Sequence, residues 1–140
     1  MRLATVTVCA MAVWTILGST PGRTALTRDR FPPQTTGDLV ALCSADKEDP
    51  LMTAAVNFCQ GFTEGAVEMA LGYEATTRAE REPFCLPTPR PSHNDAMAQF
   101  VAWANADPKR LEDPPVIGLL RFWIQQYPCP HPAAKPPVKK

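Results

Sequence analysis

Two glutamates, Glu64 and Glu68, lie four residues apart in a stretch of helical periodicity. Side chains at that spacing share one face of a helix, and a pair of carboxylates is what acid–base cleavage of a glycosidic bond requires. The same spacing is common on any solvated helix face, and here Asn57 and Gln60 extend it into a continuous polar edge. We therefore interpret these four residues as part of a surface that binds a partner, and we predict no catalytic residue.

The two histidines do not indicate a catalytic or metal-binding site either. His93 and His131 are the only histidines of the chain, and neither is surrounded by carboxylates or cysteines at metal-ligand spacing. Ser92, His93 and Asp95 lie on one turn, so they cannot adopt the geometry of a catalytic triad and instead resemble a helix cap. The sequence contains no phosphate-binding loop, Gly-x-Ser-x-Gly or His-Glu-x-x-His motif. We predict no metal site and no cofactor.

The first 22 residues have the pattern of a secretory signal peptide. Met1 and Arg2 form a short basic start, and an uncharged apolar run follows at residues 3–18. We place the cleavage between Ser19 and Ala25; a retained signal anchor is the alternative. The mature protein is then expected in the periplasm or secreted, with no membrane insertion after cleavage.

Four cysteines remain after removal of this segment: Cys43, Cys59, Cys85 and Cys129. An even count in a short exported chain predicts disulfides, and the absence of Cys-x-x-Cys argues against a redox motif or a zinc ribbon. Four cysteines allow three pairings, and the order of the predicted helices favours Cys43 with Cys59 and Cys85 with Cys129. The fourteen basic and fourteen acidic residues balance, so net charge does not attract nucleic acid.

The stretch from Leu51 to Thr77 contains no proline and is predicted to form one long helix on which the other elements pack. Its apolar residues, Met69 and Tyr73 among them, are expected to form a broad buried face. Each glycine lowers the stability of a helix by about 1 kcal/mol relative to alanine. Three glycines share one side of this helix, so we expect another backbone to approach closely there and compensate for that loss. The Gly-x-x-x-Gly pattern also occurs in membrane dimers, but acidic residues interrupt the apolar run. The three glycines are Gly61, Gly65 and Gly72.

Three further helices are predicted. A short one begins at Thr36 or Gly37 and ends at Cys43; a third runs from His93 to about Ala106, where Asp107 and Pro108 stop it. The fourth starts at Pro114 and Pro115 and ends before Pro128. The predicted fold is therefore all-α, a small four-helix domain with two disulfides after a cleaved signal peptide. Its parts are the signal peptide (1–22), an extended lead-in (23–35), the helical domain (36–130) and a disordered, basic, proline-rich tail (131–140).

Four sequence blocks together resemble the Rap/Tai family of immunity proteins. They are GDLVALC at 37–43, NFCQGFTEGAVEMAL at 57–71, FCLP at 84–87 and YPCP at 127–130. The resemblance covers nearly the whole mature domain and is specific as a set. It implies a small exported α-helical protein, stabilised by disulfides, that acts as a dimer. It also implies the partner: a peptidoglycan-cleaving amidase effector of type VI secretion, bound and blocked in the periplasm.

The residues that carry over from this resemblance belong to the scaffold. The four cysteines match the family's cysteine positions, and Gly61 and Gly65 match its helix glycines. The effector-contacting surface differs between members, so no binding residue is transferred. The lead-in, the proline-rich segment at 87–91 and the basic tail depart from the family pattern.

Three functional hypotheses follow from the sequence. The first is a non-enzymatic inhibitor that covers the catalytic cleft of a cell-wall amidase. The alternative is a small periplasmic chaperone or stress protein without a toxin partner, which exposes apolar helix faces. An enzyme that uses Glu64 and Glu68 is the third.

Overall fold

The computed structural model describes residues 25–77 and 83–130. The predicted signal peptide and the basic tail lie outside these ranges. Within them the chain is all-α, with no strand, and its two disulfides are formed, as the sequence predicts. The fold has one short helix more than expected. Its α-helices are α1 (Thr36–Cys43), α2 (Met52–Thr77), α3 (His93–Asn105), α4 (Pro108–Glu112) and α5 (Pro115–Gln126), and a 3-10 turn (Arg28–Arg30) precedes them.

Local capping sets where the helices begin. At α1 the Thr35 hydroxyl accepts from the Asp38 amide at 3.1 Å, and the Asp38 carboxylate accepts from the Thr35 amide at 3.1 Å, which is a complete capping box. Ser92 caps α3 in the predicted way, accepting from the Asp95 amide at 3.2 Å.

The additional helix, α4, begins where only a helix end was expected. Asp107 accepts from the Lys109 amide at 3.0 Å and so caps α4, and Pro108 occupies its first turn. Proline suits that position because the first-turn amides have no partner inside the helix. Asp107 and Pro108 therefore end α3, as predicted, and also begin the next helix.

The short helix α1 lies at the centre of the fold. It packs against α2, α3, α4 and α5, and its Leu39 and Leu42 are completely buried. This corrects the expectation that the long helix is the hub, because α2 packs mainly on α1 and α5. At about 39 Å, α2 is longer than the other helices, and its polar residues keep one side in water.

The tightest glycine contact in the described ranges lies at Gly118, where the Thr36 side chain at the start of α1 packs on the start of α5. A Cβ atom at Gly118 would lie 2.8 Å from Thr36 Cγ2 and closer still to Thr36 Oγ1. Thr36 is completely buried, and its hydroxyl donates to the Asp113 carbonyl at 3.0 Å. The crossing therefore has no room for a side chain at position 118.

The three glycines of α2 make no such contact inside the described ranges. A Cβ atom at Gly61, Gly65 or Gly72 would meet no heavy atom within 4 Å there. The expected backbone approach is therefore not made within this part of the chain. The spacing of the glycines identifies a shared side of α2, but it does not identify what faces that side.

Both disulfides have the pairing that the helix order favours. Cys43 bonds Cys59 with a Cα–Cα distance of 5.2 Å, which ties the end of α1 to α2. Cys85 bonds Cys129 with a Cα–Cα distance of 4.8 Å, and the Cys85 amide donates to the Tyr127 carbonyl at 2.8 Å. The second bond therefore joins the segment before α3 to the end of α5.

Replacing Gly118 by alanine is expected to lower the free energy of unfolding by about 2 to 3 kcal/mol, because overpacking a rigid contact has a cost of that order. Gly61→Ala is the matched control: a methyl group there meets no heavy atom of residues 25–77 and 83–130 within 4 Å, and alanine favours the helix by up to about 1 kcal/mol. Chemical denaturation measures both. Equal effects of the two substitutions would contradict the tight crossing at Gly118.

Graded reduction is expected to open Cys85–Cys129 before Cys43–Cys59. Cys59 is fully buried, with its sulfur 3.2 Å from the Met97 sulfur, whereas Cys85 and Cys129 are both partly exposed. A thiolate must reach a sulfur atom to attack it, so access determines the order. Alkylation of freed thiols followed by mass spectrometry measures this order. Labelling of Cys43 and Cys59 first would contradict the prediction.

Candidate functional site

The predicted polar edge lies along α2, and its two carboxylates contact basic side chains from another segment. Glu64 Oε2 lies 3.2 Å from His93 Nε2, and Glu68 Oε1 lies 3.3 Å from Arg90 Nη1. Arg90 precedes α3 and His93 begins it. These two contacts therefore bridge α2 to the start of α3. No local pattern in the sequence predicts this connection.

A cleft lies beside these ion pairs. Its volume is about 130 Å³, comparable to a cavity that holds one small aromatic ring. Glu64, Arg90 and His93 form most of its polar part, and apolar side chains line most of the rest, whereas Glu68 does not line the cleft. Asn57 and Gln60, the other two predicted residues, lie further towards the start of α2 and do not line it. The lining residues are Thr63, Glu64, Val67, Leu86, Arg90, Pro91, His93, Ala96 and Trp123.

Glu64 and Glu68 lie in a solvated setting. Their side chains are 48% and 58% exposed, and they face the His93 imidazole and the Arg90 guanidinium respectively. Ion pairs in such a solvated setting contribute at most about 1 kcal/mol to stability, so their rearrangement around a partner costs little.

A second surface, the apolar face, is an open groove between α2 and α5 with a volume of about 660 Å³. Met69 is 75% exposed and Tyr73 is 66% exposed, which corrects the expectation that both belong to a buried face. Monomeric soluble proteins rarely expose large contiguous apolar patches, and such patches often mark interaction sites. The lining residues are Gly61, Phe62, Gly65, Ala66, Met69, Ala70, Tyr73, Pro83, Val116, Leu120 and Ile124.

Across 25–77 and 83–130, no group of three or more histidine, cysteine or acidic side chains is arranged to hold a metal ion. Over the same ranges, no helix combines the length and the apolar character that crossing a membrane requires.

The described residues form a small, disulfide-bonded helical protein with a partly polar cleft and an exposed apolar face. A family model described as Rap1a immunity proteins matches residues 35–129. The match covers more than half of the chain, and the chain belongs to the Rap1a immunity protein family. The resemblance found in the cysteine and glycine blocks is thereby confirmed. Comparison with curated proteins gave no significant match, and neither did comparison with solved structures.

Family membership settles the general role. The chain is an immunity protein for a secreted effector, and its partner is that effector protein. Immunity proteins of this kind are generally not enzymes. The family and the two disulfides are consistent with a protein outside the cytoplasm.

Proposed function

We propose that the chain is an exported immunity protein that binds a peptidoglycan amidase effector of type VI secretion and occludes its catalytic cleft. The Rap1a family match over residues 35–129 carries the proposal, and the resemblance of the cysteine blocks supplies the amidase as the target. Occlusion requires shape complementarity and a few anchoring side chains, with no chemistry of its own.

The polar edge of α2 is the proposed effector-contacting surface. Glu64 and Glu68 are exposed and contact His93 and Arg90, and Glu64, His93 and Arg90 lie at a cleft whose lining is largely apolar. This combination suits an interface with charged groups at its rim and an apolar pocket for one partner side chain. Asn57 and Gln60 extend the same edge, so all four predicted residues take part in the proposal.

Export places the protein where the amidase acts. The pattern of residues 1–22 supports cleavage by a signal peptidase, and disulfides form and persist in oxidising compartments such as the periplasm. An inhibitor of a cell-wall hydrolase has to share its compartment, so the proposed location is the periplasm.

The apolar face is the proposed contact of a homodimer. Gly61 and Gly65 leave part of α2 without side chains, and the exposed Met69 and Tyr73 lie on the same surface. In a twofold contact the same patch of both copies meets, so the large side chains of one copy can cover the bare helix surface of the other. Burying each large apolar side chain stabilises such a contact by about 1.5 to 3 kcal/mol.

The alternative, a small periplasmic chaperone, is favoured by the same apolar face, because an exposed patch of this kind also binds unfolded chains. The two functions differ in specificity. A chaperone suppresses aggregation of several unrelated clients, whereas an immunity protein saturates with its effector and leaves those clients to aggregate.

The exported protein is expected to capture one stoichiometric peptidoglycan amidase from the periplasm and to abolish its activity on purified cell wall. Glu68→Arg is expected to weaken this binding about tenfold, because a reversed rim charge repels a surface that complements the wild type. The matched control is Glu112→Arg, an exposed charge reversal on α4, outside the polar edge of α2. Mass spectrometry identifies the partner, and calorimetry measures the affinities. Failure of any amidase to bind the wild type would overturn the proposal.

Met69→Glu is expected to convert the dimer to a monomer, because a charge then has to be buried in the apolar contact. Ile117→Glu is the control: Ile117 is 42% exposed on α5 but does not line the apolar face, so this variant should remain dimeric. Sedimentation velocity distinguishes the two forms. A wild-type protein that is monomeric at every concentration tested would refute the dimer.

A further inference from the structure

The lead-in is bound to α1 and to the connection that follows it. Arg30 Nη1 donates to Asp38 Oδ1 on α1 at 3.0 Å, and both side chains are partly buried. The Leu26 amide donates to Asp49 Oδ2 at 2.7 Å, in the connection between α1 and α2. The lead-in therefore has a fixed place on the domain, although the family match begins only at residue 35.

An aromatic contact joins the lead-in to α2. Phe31 meets Phe58 edge to face with ring centroids 5.6 Å apart, and Phe58 stacks on Phe62 one turn further along α2 at 6.0 Å. Edge-to-face pairs have a preferred geometry, so this contact fixes the direction from which the lead-in meets the helix. Phe58 is also the immediate neighbour of Cys59 in the chain.

These three contacts surround one disulfide. Their partners are Asp38, Asp49 and Phe58, which lie before, between and beside Cys43 and Cys59. All of the residues involved lie between positions 26 and 59, so the unit is local in sequence. Local contacts form early in folding because little loop-closure entropy opposes them. The lead-in can therefore hold α1 beside the start of α2 before the later helices pack.

Chain length alone does not select this disulfide. Cys59 follows Cys43 by 16 residues, and Cys85 follows Cys59 at a comparable distance along the chain. Loop-closure entropy favours Cys43–Cys59 over Cys59–Cys85 by only about twofold. Selective pairing at the first oxidation step therefore requires contacts that bring α1 to α2, and the lead-in makes three.

We propose that the lead-in is an intramolecular guide for oxidation, which holds α1 against α2 so that Cys43 pairs with Cys59 before other pairs form. The reaction is thiol–disulfide exchange with a disulfide oxidant. One cysteine thiolate attacks the oxidant and releases its first thiolate, and the other cysteine then displaces the second. The two protein thiols lose two electrons and two protons, and the oxidant is reduced to two thiols.

Oxidative refolding of the exported protein tests the guide. The protein is reduced and unfolded, returned to buffer with oxidised glutathione, and sampled at successive times by alkylation of its free thiols. Trypsin cuts between neighbouring cysteines, for example after Lys47, Arg78 and Arg121, so mass spectrometry identifies each pair. We expect Cys43–Cys59 to be the main first disulfide of the wild type.

The Arg30→Ala/Phe31→Ala double variant removes two of the three contacts and keeps every cysteine. It is expected to form the disulfide between α1 and α2 about fivefold more slowly, the effect of losing one ion pair and one aromatic pair. Cys59–Cys85 should accumulate in its place. Arg28→Ala is the control, because Arg28 is exposed in the same 3-10 turn, and it should pair as the wild type does.

Oxidation in concentrated guanidinium chloride completes the test, because the contacts of the lead-in do not persist there. The wild type and the double variant should then give the same mixture of pairs, which separates guidance from any change in thiol reactivity. A wild type that forms the same first pairs with and without denaturant would overturn the proposal. So would a double variant that pairs in buffer at the rate and with the selectivity of the wild type.

Discussion

The fold depends on the crossing of α1 and α5 at Thr36 and Gly118. The Thr36 amide donates to the Asp113 carbonyl at 2.7 Å, and its hydroxyl donates to the same carbonyl, while Gly118 presents no side chain to the contact. Loss of these acceptors would leave a buried hydroxyl unpaired and lower the free energy of unfolding substantially. The crossing thus satisfies an amide at the start of α1 and holds that helix against the short connection between α4 and α5.

The position of α1 explains where the binding surfaces lie. Because α1 fills the centre of the fold, the longer α2 packs at its edge and is tied to it by Cys43–Cys59. One side of α2 then carries the ion pairs to Arg90 and His93, and another carries the apolar face. Two distinct surfaces on one rigid helix allow the proposed dimer contact and the proposed effector contact to coexist.

Features set by local chemistry were predictable from the sequence. The Ser92 cap, the absence of proline in α2 and the proline at the start of α5 locate helices through backbone geometry and hydrogen bonding. The disulfide pairing followed because antiparallel neighbours bring the relevant chain ends together. The short helix α4 was missed because Pro108 was interpreted only as a helix stop, although proline also suits a first turn.

Features set by tertiary packing were not predictable in the same way. Gly61 and Gly118 look alike in the sequence, and only the path of α1 makes one of them a tight crossing and leaves the other exposed. Periodicity likewise placed Met69 on an apolar stripe but gave no information on whether another element covers that stripe. The partners of Glu64 and Glu68 come from a segment more than 20 residues away, which no local pattern indicates.

We propose that a preformed surface on α2 and at the start of α3 occludes the effector. Hydrogen–deuterium exchange of the protein, free and bound to its amidase, distinguishes this surface from the rest of the fold. We expect slower exchange on binding at residues 57–68 and 90–96, with the amides of α1 protected to the same degree in both states. Protection confined to α4 and the start of α5, or a change in exchange throughout the core, would contradict it.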